Sequence, residues 1–171
     1  MRKLLCFLLI LTIVCCLFGC GQQKSAPDKT VNFYYCRENI TFDGGNNVFA
    51  AEARTSVDAE DLVAVTNAHL QGPESRDLYS PYPMFTQILS IERTGTTLSV
   101  VFSPQLSQLT GPHLMLACAC TAMTLFDMTQ AETVIITADG VLLDGKESVM
   151  LTPNRLIFTD NQPPEASENN Q

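Results

Sequence analysis

The sequence predicts an α+β fold: a single β-β-α-β-β-α-β domain, with a mixed or antiparallel sheet and two helices packed on one face. Three observations predict it. Each half of the chain holds two short β-type runs joined by turn residues, and each pair is followed by a helical stretch. Apolar residues recur at period two in the runs and at period 3.6 in the stretches. Strands gathered into hairpins with helices on one side pack as an α+β sandwich.

The 171 residues are 46% hydrophobic and 16% charged. That suits one domain with a sizeable core and excludes intrinsic disorder over most of the chain. Ten Lys and Arg against 18 Asp and Glu give a formal charge of −8. Such a balance excludes nucleic acid as a partner, because phosphate binding needs clustered cations. It also excludes adhesion to anionic lipid through a basic face.

Residues 31–36 (VNFYYC) alternate with β-type side chains and read as a strand. Asp43-Gly44-Gly45-Asn46-Asn47 is turn chemistry, since Gly and Asn tolerate positive φ, and residues 48–55 return as the second strand of a hairpin. Asp58 is expected to cap a helix, with Glu60 and Asp61 favoured by the dipole in its first turn. Leu62, Val65 and His69, with Ala59, Val63, Thr66 and Leu70, fall at helical spacing, and Gly72-Pro73 stops the helix. His69, near that end, reads as a solvated or capping residue rather than a catalytic one.

Residues 87–93 and 97–102 form a second hairpin around Thr94-Gly95-Thr96. Leu89, Ile91, Leu98, Val100 and Phe102 then point at the core at period two. Thr110-Gly111-Pro112 opens a second helix, with Thr as cap and Pro in the first turn. It runs to about Met128. No charge occurs between Thr94 and Asp127, so this helix is buried on most sides or lies in an interface. A membrane span is the rival, but His113, Thr121 and Thr124 interrupt it and no basic flank stops transfer. Residues 133–137 (TVIIT) read as a buried strand, Asp139-Gly140 and Asp144-Gly145 as turns, and residues 156–158 as a short edge strand.

Four segments are expected. Residues 1–19 read as a lipoprotein signal peptide: Met1-Arg2-Lys3 is basic, and residues 4–18 are apolar and uncharged. That run is shorter than the ~20 residues that span a bilayer comfortably. Leu17-Phe18-Gly19-Cys20 resembles the lipobox of bacterial lipoproteins, which implies cleavage before Cys20 and lipidation of its thiol. An uncut signal anchor is the alternative. Several acyl chains at Cys20 would hold the protein firmly, whereas one anchors only marginally. Residues 20–29 form the lipidated tether, residues 30–160 the folded domain, and residues 161–171 a tail with no core-forming residue.

Cysteines stand at positions 6, 15, 16, 20, 36, 118 and 120. Three of them, Cys36, Cys118 and Cys120, lie beyond the leader and the lipobox, so a fully stapled scaffold is not expected. One bridge from Cys36 to Cys118 or Cys120 stays open. Cys118-Ala119-Cys120 beside His113 lacks the second paired element of a zinc site. These thiols read as small buried apolar groups. Glu52, Glu92 and Asp127 are the candidate acids for acid–base work, and His113 is a candidate base for Cys118 or Cys120. No Gly-x-Ser-x-Gly, Walker loop or paired His occurs. The expectation is a non-enzyme with no catalytic, cofactor-binding or metal residues.

The middle of the chain resembles the GerMN domain family of sporulation and germination lipoproteins. Leu70-Gln71-Gly72-Pro73, Leu78-Tyr79-Ser80-Pro81-Tyr82-Pro83 leading into Ile88-Leu89-Ser90-Ile91, and Leu98-Ser99-Val100-Val101-Phe102-Ser103 carry the resemblance. So does the apolar helix from Gly111 with the strand ending at Asp139-Gly140. The match spans about residues 30–160. Two positions depart from the family: Phe85 sits where Gly is common, and Val101 where Asp is common. The resemblance implies a lipid-anchored protein on the extracytoplasmic face of the cell membrane, with a fold similar to ring-building motifs. It implies scaffolding or assembly with envelope or sporulation proteins, or with further copies as a homo-oligomer, and brings over no catalytic residue. A ligand-binding lipoprotein or small envelope hydrolase is the alternative.

Overall fold

The computed structural model describes residues 29–38, 48–56 and 60–156. Strands β1 (Lys29–Arg37) and β2 (Phe49–Ser56) pair antiparallel from Lys29↔Ser56 to Cys36↔Phe49. On the other side of β1, the two-residue β3 (Leu78–Tyr79) pairs only with Cys36 and Arg37. A second sheet runs in the order β4 (Ile88–Thr94), β5 (Thr97–Phe102), β6 (Thr133–Ala138), β7 (Val149–Leu151). Strands β5 and β6 are parallel, which demands a long crossover. Helix α2 (Gly111–Thr129) supplies it. Helix α1 (Leu62–Leu70) joins the two hairpins. This is an α+β fold with the expected element order, to which β3 and β7 are added.

Several local expectations are corrected. The α1 cap is Asp61, whose carboxylate accepts from the N–H groups of Val63 and Ala64 at 3.0 Å each. Asp58 lies outside the described residues, as do the turn at 43–47, the leader with Cys20, and the tail. Lys29, assigned to the tether, begins β1. Thr110 is the N-cap of α2 but makes no side-chain capping bond. Leu89 is exposed, because a register shift between Ile88 and Ser90 bulges it out of the ladder and leaves Ile88 on the core side. The last strand is Val149–Leu151; Leu156 instead closes a short 3-10 turn, and residues 157 and 158 are not described.

Alternation decides the main core. Leu98, Val100 and Phe102 of β5 and Val134, Ile136 and Ala138 of β6 face the same side. They pack against Leu114, Ala117, Cys118, Ala119, Ala122 and Leu125 of α2. The small residues let helix and sheet approach closely. A second cluster, Val31, Phe33, Tyr35, Val65 and Leu78, sits under the three-stranded sheet.

Candidate functional site

Where β3 stops short, the outer edge of β1 has no strand partner among the described residues. Side chains from both helices close it. The N–H of Tyr34 donates to Thr124 Oγ1 of α2 at 3.1 Å. The carbonyl of Tyr34 accepts from His69 Nε2 of α1 at 2.8 Å. An open edge invites strand addition, so this capping blunts it.

His69 is therefore neither solvated nor a helix cap, contrary to the sequence expectation. It is fully buried, with its ring near Phe33 (5.3 Å), Tyr35 (4.8 Å) and Tyr82 (5.6 Å) between centroids. A carbonyl only accepts, so Nε2 carries a proton, and burial favours the neutral ring. Burial pushes its pKa down to about 4; the Tyr34 carbonyl opposes this and the Arg54 charge adds to it. Nδ1 is buried with no hydrogen-bond partner among the described residues.

Polar groups surround this ring. The Tyr35 hydroxyl lies 2.9 Å from the carbonyl of His69 and 3.1 Å from that of Gly72, and donates across both. Gly72 adopts φ +97°, a conformation side chains resist. Arg54 stacks over Phe33 and Tyr35 and donates to Gly72 O at 2.8 Å. Glu52 accepts from Arg54 Nε at 2.7 Å and from the backbone N–H groups of Glu74 and Ser75. Burial alone would raise the Glu52 carboxyl; the Ser75 and Glu74 donors and Arg54 outweigh it and hold it below the usual range. These contacts are structural: Tyr35, Arg54 and Glu52 spend them on backbone carbonyls, backbone N–H groups and one another.

The three thiols are buried and free, as expected of apolar packing groups. Cys36 Sγ and Cys120 Sγ lie 3.7 Å apart. Burial pushes Cys118 up to about 12 and raises Cys120 as well.

Among the described residues lies an open groove of about 310 Å³, lined by Tyr79, Pro81, Tyr82, Pro83, Leu109, Leu116 and His113 among others. The Ser80-Pro81-Tyr82-Pro83 turn forms one wall and the start of α2 the other. Tyr82 Oη is held 2.8 Å from Thr121 Oγ1 and 3.1 Å from Ala117 O, which fixes the turn to α2. Just past the turn, Met84 and Phe85 are 81% and 83% exposed. Phe85 has φ +65°, so the position where the resembled family often carries Gly has a backbone that suits Gly.

The sequence-derived candidates do not converge. Glu52 is occupied by Arg54 and backbone donors, Asp127 accepts from Asn32 at 3.0 Å, Glu92 is exposed on β4, and His113 opens on the groove. No hydrogen bond or ion pair joins any two of them among the described residues. There, too, no three His, Cys, Asp or Glu are placed to hold a metal ion, and no helix is long and apolar enough to cross a membrane. Sequence reasoning missed the His69 cluster. The signal was the shared helical face of Val65, Thr66 and His69, opposite the alternating Phe33 and Tyr35.

No family model matches the chain, and no curated protein matches it. Among solved structures it is similar to the tandem GerMN domains of the sporulation protein GerM from Bacillus subtilis. The TM-score is 0.53 with 15% identity, over 77% of this chain and 47% of that one. The chain thus spans about half the length of that structure. It also aligns with a protein from Clostridium perfringens provisionally called a lipoprotein, at a TM-score of 0.47 and 16% identity, over 74% and 89% of the two chains. The likeness to the GerM domains is one of fold, and the chain has a GerMN-like fold.

Proposed function

We propose that this is a lipid-anchored extracytoplasmic protein that works by contact, as a non-enzymatic assembly or scaffolding domain in sporulation, germination or the cell envelope. One observation carries the reading. The chemically reactive groups inside the fold, His69 and the three thiols, are sealed from solvent, while Met84 and Phe85, the most exposed large apolar residues among those described, form a tip beside an aromatic and proline-lined groove. An exposed apolar pair, with Phe85 held in a left-handed backbone conformation, suits a contact surface rather than a reaction centre. The GerMN-like fold, and what the resemblance implies of that family, support the same reading. The lipobox-like Leu17-Phe18-Gly19-Cys20 supports anchoring at Cys20, with the acidic domain beyond a short tether.

Mass spectrometry of the N-terminus of membrane-extracted protein tests the anchor. The expected mature end is an acylated Cys20; an intact Met1 on protein that washes into the soluble fraction would overturn it. Native mass and cross-linking of the full chain in detergent test the assembly role. A partner or self-association lost in Phe85→Ser supports it, and a strict monomer that crosslinks to no envelope protein counts against it. The groove with His113 keeps a small-ligand reading as the alternative, which saturable binding of a small molecule there would favour.

A further inference from the structure

We propose that Cys36 and Cys120 are the two halves of an intramolecular disulfide that fastens β1 to α2. This rests on the extracytoplasmic reading above, because thiols stay reduced in the cytosol and pair outside it. Both side chains are fully buried, and the two sulfurs touch at 3.7 Å from positions 84 residues apart. A disulfide needs about 2.0 Å, so closure takes a small approach of two side chains that already face each other.

The approach is set by register rather than by one rotamer. Along the seam between β1 and α2, Asn32 Nδ2 meets Asp127 Oδ2 at 3.0 Å, the Tyr34 N–H meets Thr124 Oγ1 at 3.1 Å, and Cys36 meets Cys120. Each two-residue step on the strand is matched by three or four residues on the helix. Those steps are about 6.6 Å and 5 Å, close enough to stay in phase over three rungs. Cys118 lies about 200° around the helix from Cys120 and joins the aliphatic core instead. The geometry therefore selects one of the two pairings that spacing alone left open.

The oxidant is an external disulfide, from a small molecule or from a dithiol oxidoreductase. The Cys36 thiolate attacks one of its sulfurs, the external S–S bond breaks, and one thiol leaves. Cys120 gives up its proton and attacks the Cys36 sulfur, releasing the second thiol. Two protein thiols lose two electrons and two protons, and the external disulfide gains them as two thiols. Exchange must precede the final packing of β1 on α2, since neither sulfur is accessible afterwards, and the finished bond is shielded from reductants.

The test starts with the full chain, reduced and unfolded, then refolded in detergent with a glutathione redox buffer. The protein is then unfolded in denaturant without reductant, free thiols are blocked with N-ethylmaleimide, and the digest is mapped by fragmentation mass spectrometry. The expected product links Cys36 to Cys120, with maleimide on Cys118. Cys118→Ser keeps the link and Cys120→Ser loses it. A Cys36 blocked by maleimide in most molecules, or a link that survives Cys120→Ser, overturns the proposal. If Cys120→Ser fails to fold, fragmentation between positions 118 and 120 of the unaltered chain decides alone. Cells lysed directly into denaturant containing maleimide separate the two readings. Protein linked after refolding but blocked at Cys36 in cells overturns the extracytoplasmic location, while the pairing stands.

Discussion

The four-stranded sheet and the three-stranded sheet meet the same two helices with different chemistry. Against α2, the larger sheet sets Leu98, Val100, Phe102, Val134 and Ile136, all without access to solvent. This contact is non-directional and scales with buried area. Under the smaller sheet, His69, Tyr35, Arg54 and Glu52 interlock around backbone carbonyls and N–H groups. There each bond has a direction, and removing one partner leaves another stranded. The first region is damaged by lost volume, and the second by a missing partner or an added proton.

Truncation in the aliphatic region gives the largest expected effect. Phe102→Ala should lower unfolding free energy by about 3–5 kcal/mol in urea denaturation. A loss under 1 kcal/mol would mean that the two regions are not distinguished by packing.

Acid comes next and should act on the polar region. The unfolded chain binds a proton at His69 near pH 6.5, while the folded chain resists until about 4. Stability from this group is complete above pH 6.5 and is lost as pH falls toward 4, because the unfolded state then holds more protons. The shift corresponds to about 3 kcal/mol. Urea midpoints measured across that range should fall in the unaltered protein and stay nearly flat in His69→Gln. An equal slope in both would place the titration elsewhere.

Thr124→Val keeps the shape of the side chain and strands the Tyr34 N–H at the β1 edge. The expected cost is about 1–2 kcal/mol, read as a drop in thermal midpoint. No change would mean that water replaces the hydroxyl there. The smallest effect has the opposite sign and belongs to neither sheet. Phe85→Gly relieves a left-handed backbone and should raise stability by under about 1 kcal/mol, after the entropy cost of glycine. If the same variant also loses a binding partner, the strain at Phe85 is kept for contact.

The aliphatic region was the more legible in sequence. Alternation at Leu98, Val100 and Phe102 and the uncharged stretch from Thr94 to Asp127 identify strand and buried helix, because a periodic pattern needs no knowledge of its partner. β3 and β7, at two and three residues, fall below any period. Leu89 misled because a bulge reverses the face, and the bulge is fixed from outside. Asn67 bonds both the N–H and the carbonyl of Ile88, at 2.9 and 3.0 Å, across 21 residues. His69 was misplaced for a related reason: its partner is a backbone carbonyl 35 residues away, and the face it shares with Val65 and Thr66 marks burial without naming that partner. The groove was half visible, through the Ser80-Pro81-Tyr82-Pro83 turn, but its second wall depends on where α2 begins.

Helix α2 turns Leu125 to one sheet and Thr124 to the other, at adjacent positions. One rod therefore belongs to two structures at once. Neither layer can be excised, transplanted or melted by itself, because the surface it would leave is the surface its neighbour needs. Heat should dissolve the domain in a single all-or-none step, however unlike the forces on its two sides.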